Sequence, residues 1–101
     1  MIKRIVKLTF QPDNIPAFQR IFEESKHKIR AREGCHHLEL WQDKRNPHIF
    51  FTYSFWTSEK ELNAYRHSEL FQQTWAKTKA LFGDKPEAWS VEVASEVKQN
   101  Q

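Results

Sequence analysis

The sequence predicts an α+β domain built on one four-stranded antiparallel sheet, with helices against one of its faces, and three observations carry that expectation. Four separated stretches alternate apolar with polar residues at the period of a strand. The stretches between the first and second and between the third and fourth place their apolar residues three and four apart, the period of a helix. No segment repeats another, and none is of low complexity. With 101 residues there is room for one small domain and no second. The mean hydropathy of −0.81 suggests disorder by itself. Four Trp, eight Phe and two Tyr argue the reverse, because a disordered segment carries few aromatics.

The first strand is expected over Ile2 to Phe10, where Val6, Leu8 and Phe10 alternate with Lys7 and Thr9. Gln11-Pro12-Asp13-Asn14 breaks it, and Asp13 or Asn14 is placed to cap a helix with Pro16 in its first turn. Phe18, Ile21, Phe22, Ser25 and Ile29 form the apolar stripe of that helix, which should run to about Arg32 and end at Gly34. Cys35 to Asp43 and His48 to Trp56 read as two strands of a hairpin joined by Lys44-Arg45-Asn46-Pro47. Ser58 with Glu61 three residues on forms a capping box that opens a short helix burying Leu62 and Tyr65. Ser68 caps the next helix, whose inward residues are Leu70, Phe71, Thr74, Trp75, Thr78, Leu81 and Phe82, and Gly83 and Pro86 end it. Trp89 to Val97 supplies the fourth strand, so the domain spans residues 1–97 and residues 98–101 are a frayed tail. The order βαββαβ, with its second helical segment split in two, gives a ferredoxin-like sandwich.

The third strand is apolar or aromatic on both faces. With Trp41 set opposite Ile49, one face of the hairpin carries Cys35, His37, Glu39, Trp41, Ile49, Phe51, Tyr53 and Phe55. The other carries His36, Leu38, Leu40, Gln42, Phe50, Thr52, Ser54 and Trp56. A sheet with one wet face would alternate apolar with polar. Helices can cover one side, and a second copy of the sheet is expected on the other, making a homodimer.

Sixteen Lys and Arg against thirteen Asp and Glu leave a formal charge of +3, spread along the chain without the basic run of a nucleic-acid arm. Cys35 is the one cysteine, so neither an intrachain disulfide nor a thiolate metal site is expected, and a reducing cytoplasm fits. Met1 to Lys7 has charges where a signal peptide needs an apolar core, and no stretch approaches a membrane span. A soluble, cytoplasmic protein binding neither nucleic acid nor membrane is the expectation.

Glu33-Gly34-Cys35, Leu38-Glu39-Leu40, the run from Phe51 through Trp56-Thr57-Ser58-Glu59, and Leu62 to Phe71 with its Ser68-x-x-Phe71 step resemble the antibiotic biosynthesis monooxygenase (ABM) family of dimeric α/β-barrel proteins, over about residues 2–94. The resemblance implies a homodimer in which two sheets face one another, with a pocket in each subunit between sheet and helices. It also implies one of several activities: oxygenation of quinols and aromatic polyketides without metal or flavin, oxidative haem breakdown, or isomerisation of small phosphorylated or carbonyl compounds. Fold alone chooses none of them. Many quinol-oxygenating relatives place His where this chain has Tyr65 and Leu70, and Glu where it has Ser54. In the haem-degrading relatives the histidine ligand falls at or near Trp75 and the pocket Trp at Tyr65, and the first strand here lacks their Asn. Haem is therefore not expected as a cofactor.

His36 and His37 are neighbours in a strand, point to opposite faces and cannot grip one ion, so no metal site is expected. His37 shares its face with Glu39 and Tyr53 and is either part of a polar knot that fixes dimer register or a general base tuned by Glu39. Tyr65, Phe71 and Trp75 face inward toward Ser54 and Trp56, a stripe that serves as core or as the wall of an aromatic ligand pocket. His67 is a loop residue, either solvated or a candidate at the pocket mouth, while His27 and His48 read as surface residues and Cys35 as a small core residue.

The function expected from this pattern is cofactor-independent oxygenation of a small, electron-rich aromatic such as a quinol, with molecular oxygen as co-substrate. His37 or His36 would take the phenolic proton, Tyr65 and Ser54 would orient the ring, Trp56, Phe71 and Trp75 would wall it, and His67 would border it. The rivals are an isomerase or haem-modifying enzyme on the same scaffold, and a small-ligand-binding dimer without turnover.

Overall fold

A computed structural model describes residues 1–99 of the chain. Of the expected tail, residues 100 and 101 lie outside the described residues. Strand β1 (Ile2–Thr9) lies between β3 (Ile49–Trp56) and β4 (Glu87–Val91), and β2 (Cys35–Gln42) forms the far edge, giving an antiparallel sheet of order β2-β3-β1-β4. Helices α1 (Ile15–Arg30), α2 (Glu59–Arg66) and α3 (Glu69–Lys79) complete the ferredoxin-like α+β fold.

The caps expected at Ser58 and Ser68 form: each hydroxyl accepts a backbone N–H of its helix, from Lys60 at 3.2 Å and from Phe71 at 3.2 Å. Glu61 reaches back to the Ser58 hydroxyl, which donates to its carboxylate. At α1 the expected cap does not form. Asn14 occupies the cap position, but its Nδ2 donates to the Leu81 carbonyl at 3.2 Å instead, tying the start of α1 to the segment after α3. That segment also meets β1 through Gly83 N to Thr9 O at 2.8 Å and Gln11 N to Leu81 O at 3.2 Å.

Three further expectations are corrected. Helix α1 stops at Arg30, with Ala31 as its cap, and Gly34 lies in the following turn. β4 is Glu87–Val91, not Trp89 to Val97: it pairs with Lys3 through Lys7 of β1, and Val93 and Val97 lie past that pairing. In the hairpin, Trp41 opposes Phe51, not Ile49. That slip of two residues keeps the faces. A bulge between Cys35 and His37 does not, because it sets Cys35 opposite Trp56 on the helix-covered face, away from His37.

The helix-covered face is packed at two ends and open between them. At one end Leu8, Phe10, Phe18 and Phe50 form a buried cluster, with Phe10 stacked on Phe18 at 4.2 Å between ring centroids. At the other, Cys35, Trp56 and Leu62 form a second, with Tyr65 against it. Along β3 the inward residues run Trp56, Ser54, Thr52, Phe50, two large side chains enclosing two small ones. Across the sheet the two small ones lie in two rows: Leu38, Ser54, Arg4 and Ser90 make one, and Leu40, Thr52, Val6 and Ala88 the next.

The opposite face carries His37, Phe55 and Lys3, then Glu39, Tyr53, Ile5 and Trp89, then Trp41, Phe51 and Lys7. Both faces of β3 are thus apolar or aromatic, and no helix of the described residues covers this one. Trp41, Trp89 and Val91 are 39%, 45% and 42% exposed on it.

Gly34 has φ +85°, in the left-handed region, and a Cβ there would lie 2.4 Å from Cβ and Cγ of Glu61. Its carbonyl accepts from Thr57 N at 2.9 Å, so neither backbone nor helix is free to move aside. Gly34→Ala should therefore cost about 2–4 kcal/mol from the sum of strain and overlap, read as a lower urea midpoint at unchanged slope.

Candidate functional site

The gap between the two clusters is a cavity of about 310 Å³ enclosed by the sheet floor, α1, α2, α3 and the start of β4. Small side chains make it: Ser54 and Thr52 on β3, Ser25 on α1, Thr74 and Thr78 on α3. Two of those hydroxyls are engaged within their own helices, Ser25 donating to the Ile21 carbonyl at 2.8 Å and Thr78 to that of Thr74 at 2.7 Å. They add space to the wall and no free donor.

A ladder of rings forms the helical wall. Trp56 stacks on Tyr65 at 5.0 Å and 18°, Tyr65 meets Phe71 edge-on at 5.2 Å and 81°, and Phe71 stacks on Trp75 at 5.8 Å and 10°. Ser68, by donating to the Tyr65 carbonyl at 2.6 Å while accepting from Phe71 N, fixes the corner between α2 and α3 and with it the angle between the two rings. Ser54 accepts from Trp56 Nε1 at 3.0 Å, a buried bond that holds the indole against the floor and leaves the serine proton free to point at a ligand.

Tyr65 brings the one phenol hydroxyl among the described residues that line the cavity. Burial, and after it the neighbouring Cys35, push its phenol pKa well above the ordinary tyrosine range, with Arg32 acting the other way. The hydroxyl therefore stays protonated throughout the working range of the protein: it donates a hydrogen bond and does not accept a proton. Among the described residues it has no hydrogen-bond partner of its own.

Tyr65, Ser54, Trp56, Phe71 and Trp75 all line the cavity, so five of the residues singled out in the sequence come together. His36, His37 and His67 do not. His37 lies on the open face, where its Nε2 donates to Glu39 and Trp41 Nε1 donates to the other oxygen of the same carboxylate at 2.8 Å. The bond from Trp41, and then that from His37, hold the Glu39 pKa below the usual carboxylate range. Tyr53 joins this group by stacking on Trp41 at 4.5 Å. The bulge turns His36 to Thr57 Oγ1, 2.7 Å away, and His67 Nδ1 donates to the Asn63 carbonyl at 2.8 Å, both exposed. A scheme in which His36 or His37 deprotonates a ligand held by Tyr65 and Ser54 has no geometry within one chain, because the sheet or the bulge separates them.

The cavity also has polar residues that the sequence reading passed over. Arg4 and Arg66 line it, with Thr52 and Thr74. The signal for Arg4 was present: it stands two residues before Val6 in the alternation that puts Val6, Leu8 and Phe10 on the inward face. Among the described residues no three His, Cys, Asp or Glu side chains are grouped to hold a metal ion, and no helix is long and apolar enough to cross a membrane.

A family model described as antibiotic biosynthesis monooxygenase matches residues 1–77. A solved structure of that description is 19% identical, with a TM-score of 0.89, over 94% of this chain and 100% of its own. A conserved protein from Methanosarcina mazei Go1 is 19% identical with a TM-score of 0.85, covering 89% of each chain. A protein from Mycobacterium tuberculosis is 16% identical with a TM-score of 0.86, over 96% of this chain and 98% of its own. No curated protein matches the chain.

Because the Tyr65 pKa is raised on folding, the stability it contributes is complete below the unfolded tyrosine value of about 10 and is lost as pH rises above it. In a spectrophotometric titration, the phenolate signal present in wild type and missing in Tyr65→Phe should appear only above about pH 10, together with the loss of near-UV circular dichroism. Its appearance in the folded protein below that pH would contradict the buried position.

Proposed function

The chain belongs to the antibiotic biosynthesis monooxygenase family, and we propose that it oxygenates a small, electron-rich aromatic of the quinol type without a cofactor, using molecular oxygen. The observation that carries this reading is the ring-walled cavity in which the Tyr65 and Ser54 hydroxyls present hydrogen-bond donors and, among the described residues, no histidine is found. A planar ring slides between such walls, and donors aimed at its oxygen stabilise the phenolate over the phenol. The proton need not pass to a protein base: lowered in pKa, the phenol releases it to water at the mouth.

The remaining steps belong to the substrate. The phenolate passes one electron to oxygen, giving an aryloxyl radical and superoxide; the pair recombines into a carbon–oxygen bond, and the resulting peroxide anion takes back a proton from water. The hydroperoxide so formed loses water, leaving one oxygen atom as a carbonyl on the ring and the other in the water. The protein's part is to hold the ring, bias its ionisation and keep the radical pair together in an enclosed apolar space. Haem is a poor fit to the same space: among the described residues no histidine, cysteine or methionine lines it, and Tyr65, the other residue type there that ligates haem iron, is held protonated by burial.

One observation favours a second reading, a ligand-binding protein without turnover: the chain has Tyr65, Leu70 and Ser54 where the resemblance to quinol-oxygenating relatives implies histidine, histidine and glutamate. Oxygen uptake by metal-stripped protein over a panel of hydroquinones and dihydroxynaphthalenes, without flavin, separates the two. Turnover is expected, and Tyr65→Phe should slow it about tenfold or more at unchanged fold. Binding of the panel without uptake leaves the ligand-binding reading, and equal rates in the two proteins remove Tyr65 from the chemistry.

The working unit in this proposal is a homodimer joined through the open sheet face. Covering Trp41, Tyr53, Phe55, Trp89 and Val91 removes apolar surface that a monomer leaves half-wet, and the resemblance to dimeric relatives points the same way. Sedimentation velocity at micromolar concentration should give a dimer, and Trp89→Asp should shift it toward monomer; a wild-type monomer would overturn the arrangement.

A further inference from the structure

Resting on the reading of the cavity as a site for a small aromatic, we infer that its ligand carries an anionic group, and that Arg4 and Arg66 together receive it. Arg4 projects from the middle of the sheet floor, in the row between Ser54 and Ser90, and its Nη1 donates to Ser90 Oγ at 3.0 Å. Arg66, the last residue of α2, lines the same cavity one position beyond Tyr65. A guanidinium has five N–H donors, so the bond to Ser90 orients Arg4 and leaves most of its fork unused.

Neither cation has a carboxylate to itself. Ion pairs within 4.0 Å among the described residues join Lys26 to Glu23 and His37 to Glu39, both elsewhere. Glu59, in the first turn of α2, acts on Arg4 by its charge, and Glu87 lies at the cavity edge; both are exposed. Burial, and after it the charge of Arg66, hold the Arg4 pKa below the guanidinium range, and the pull of Glu59 is smaller than either. Two like charges brought onto one cavity wall, one of them partly buried, repel each other until an anion lies between them.

The rest of the wall sets the other end of the ligand. Trp56, Tyr65, Phe71 and Trp75 offer flat apolar surface, and about 310 Å³ is ample for one or two rings, given that a cavity of about 150 Å³ binds benzene. A ring bearing a carboxylate satisfies both, its two oxygens matching the parallel N–H groups of a guanidinium. Ser90, which orients Arg4, lies beyond the residues matched by the family model.

The test compares two probes of the same ring, 2,5-dihydroxybenzoate and 2,5-dihydroxytoluene, by calorimetric titration of wild type, Arg4→Gln and Arg66→Gln. Wild type should bind the acid about tenfold or more tightly than the toluene, and added salt should weaken the acid alone. Each variant should lose most of that preference while keeping its affinity for the toluene. Arg66 is exposed and its side chain makes no hydrogen bond among the described residues, so Arg66→Gln decides the matter even if Arg4→Gln fails to fold. Equal wild-type affinities, or a preference that survives in Arg66→Gln, would overturn the inference. If the toluene binds and consumes oxygen with no preference for the acid, the oxygenase reading stands and the anion site falls; if neither probe binds, both fall.

Discussion

The alternation of bulk along the inward face of β3 is the constraint on which the rest of the molecule depends. Trp56 and Phe50 reach up to the helices at either end, and Ser54 and Thr52 between them do not. A helix is too stiff to sag into that interval, so α1 bridges it, supported by Phe18 at one end and Ile29 near the other. Filling the gap with larger residues would gain buried apolar surface and hence stability. The chain instead keeps hydroxyl residues there and directs two of their protons to helix carbonyls, so that the space costs little in unsatisfied polar groups.

What the cavity lacks is as informative as its contents. With no histidine and with a tyrosine held protonated by burial, its chemistry is that of donation and positive charge. Such a site stabilises anions, whether a phenolate that forms during reaction or a charge the ligand brings with it. The titratable histidine and glutamate fall on the other side of the sheet, bonded to each other and to Trp41, in the part of the molecule that the proposed partner would cover.

Most of this architecture is legible in the sequence because it rests on period. Strand and helix periods locate the elements, and the two-sided character of Phe50 through Trp56 is what raises the expectation of a partner on the face that no helix covers. The ring ladder follows from helical spacing within α2 and α3. Two things were hidden for physical reasons. The bulge at the start of β2 adds a residue without any change in composition, so simple alternation carries Cys35 to the wrong face. The length of β4 depends on where its partner β1 offers free backbone groups, a fact about pairing that apolar residues at Val93 and Val97 cannot reveal. Arg4 is different, for its inward direction was stated by the alternation of β1; its charge made it look like a surface residue.

β4 is exposed along its whole length and hydrogen-bonded on one side only, to β1. It also forms the edge of the cavity through residues 86–88, while every residue of the two buried clusters belongs to other elements. Peeling this strand away breaks few apolar contacts and leaves both clusters standing, so its amides should exchange with solvent sooner than those of β1 and β3. In the single chain the edge of the cavity thus rests on the strand held by the fewest apolar contacts, and a partner seated on Trp89 and Val91 would steady that edge.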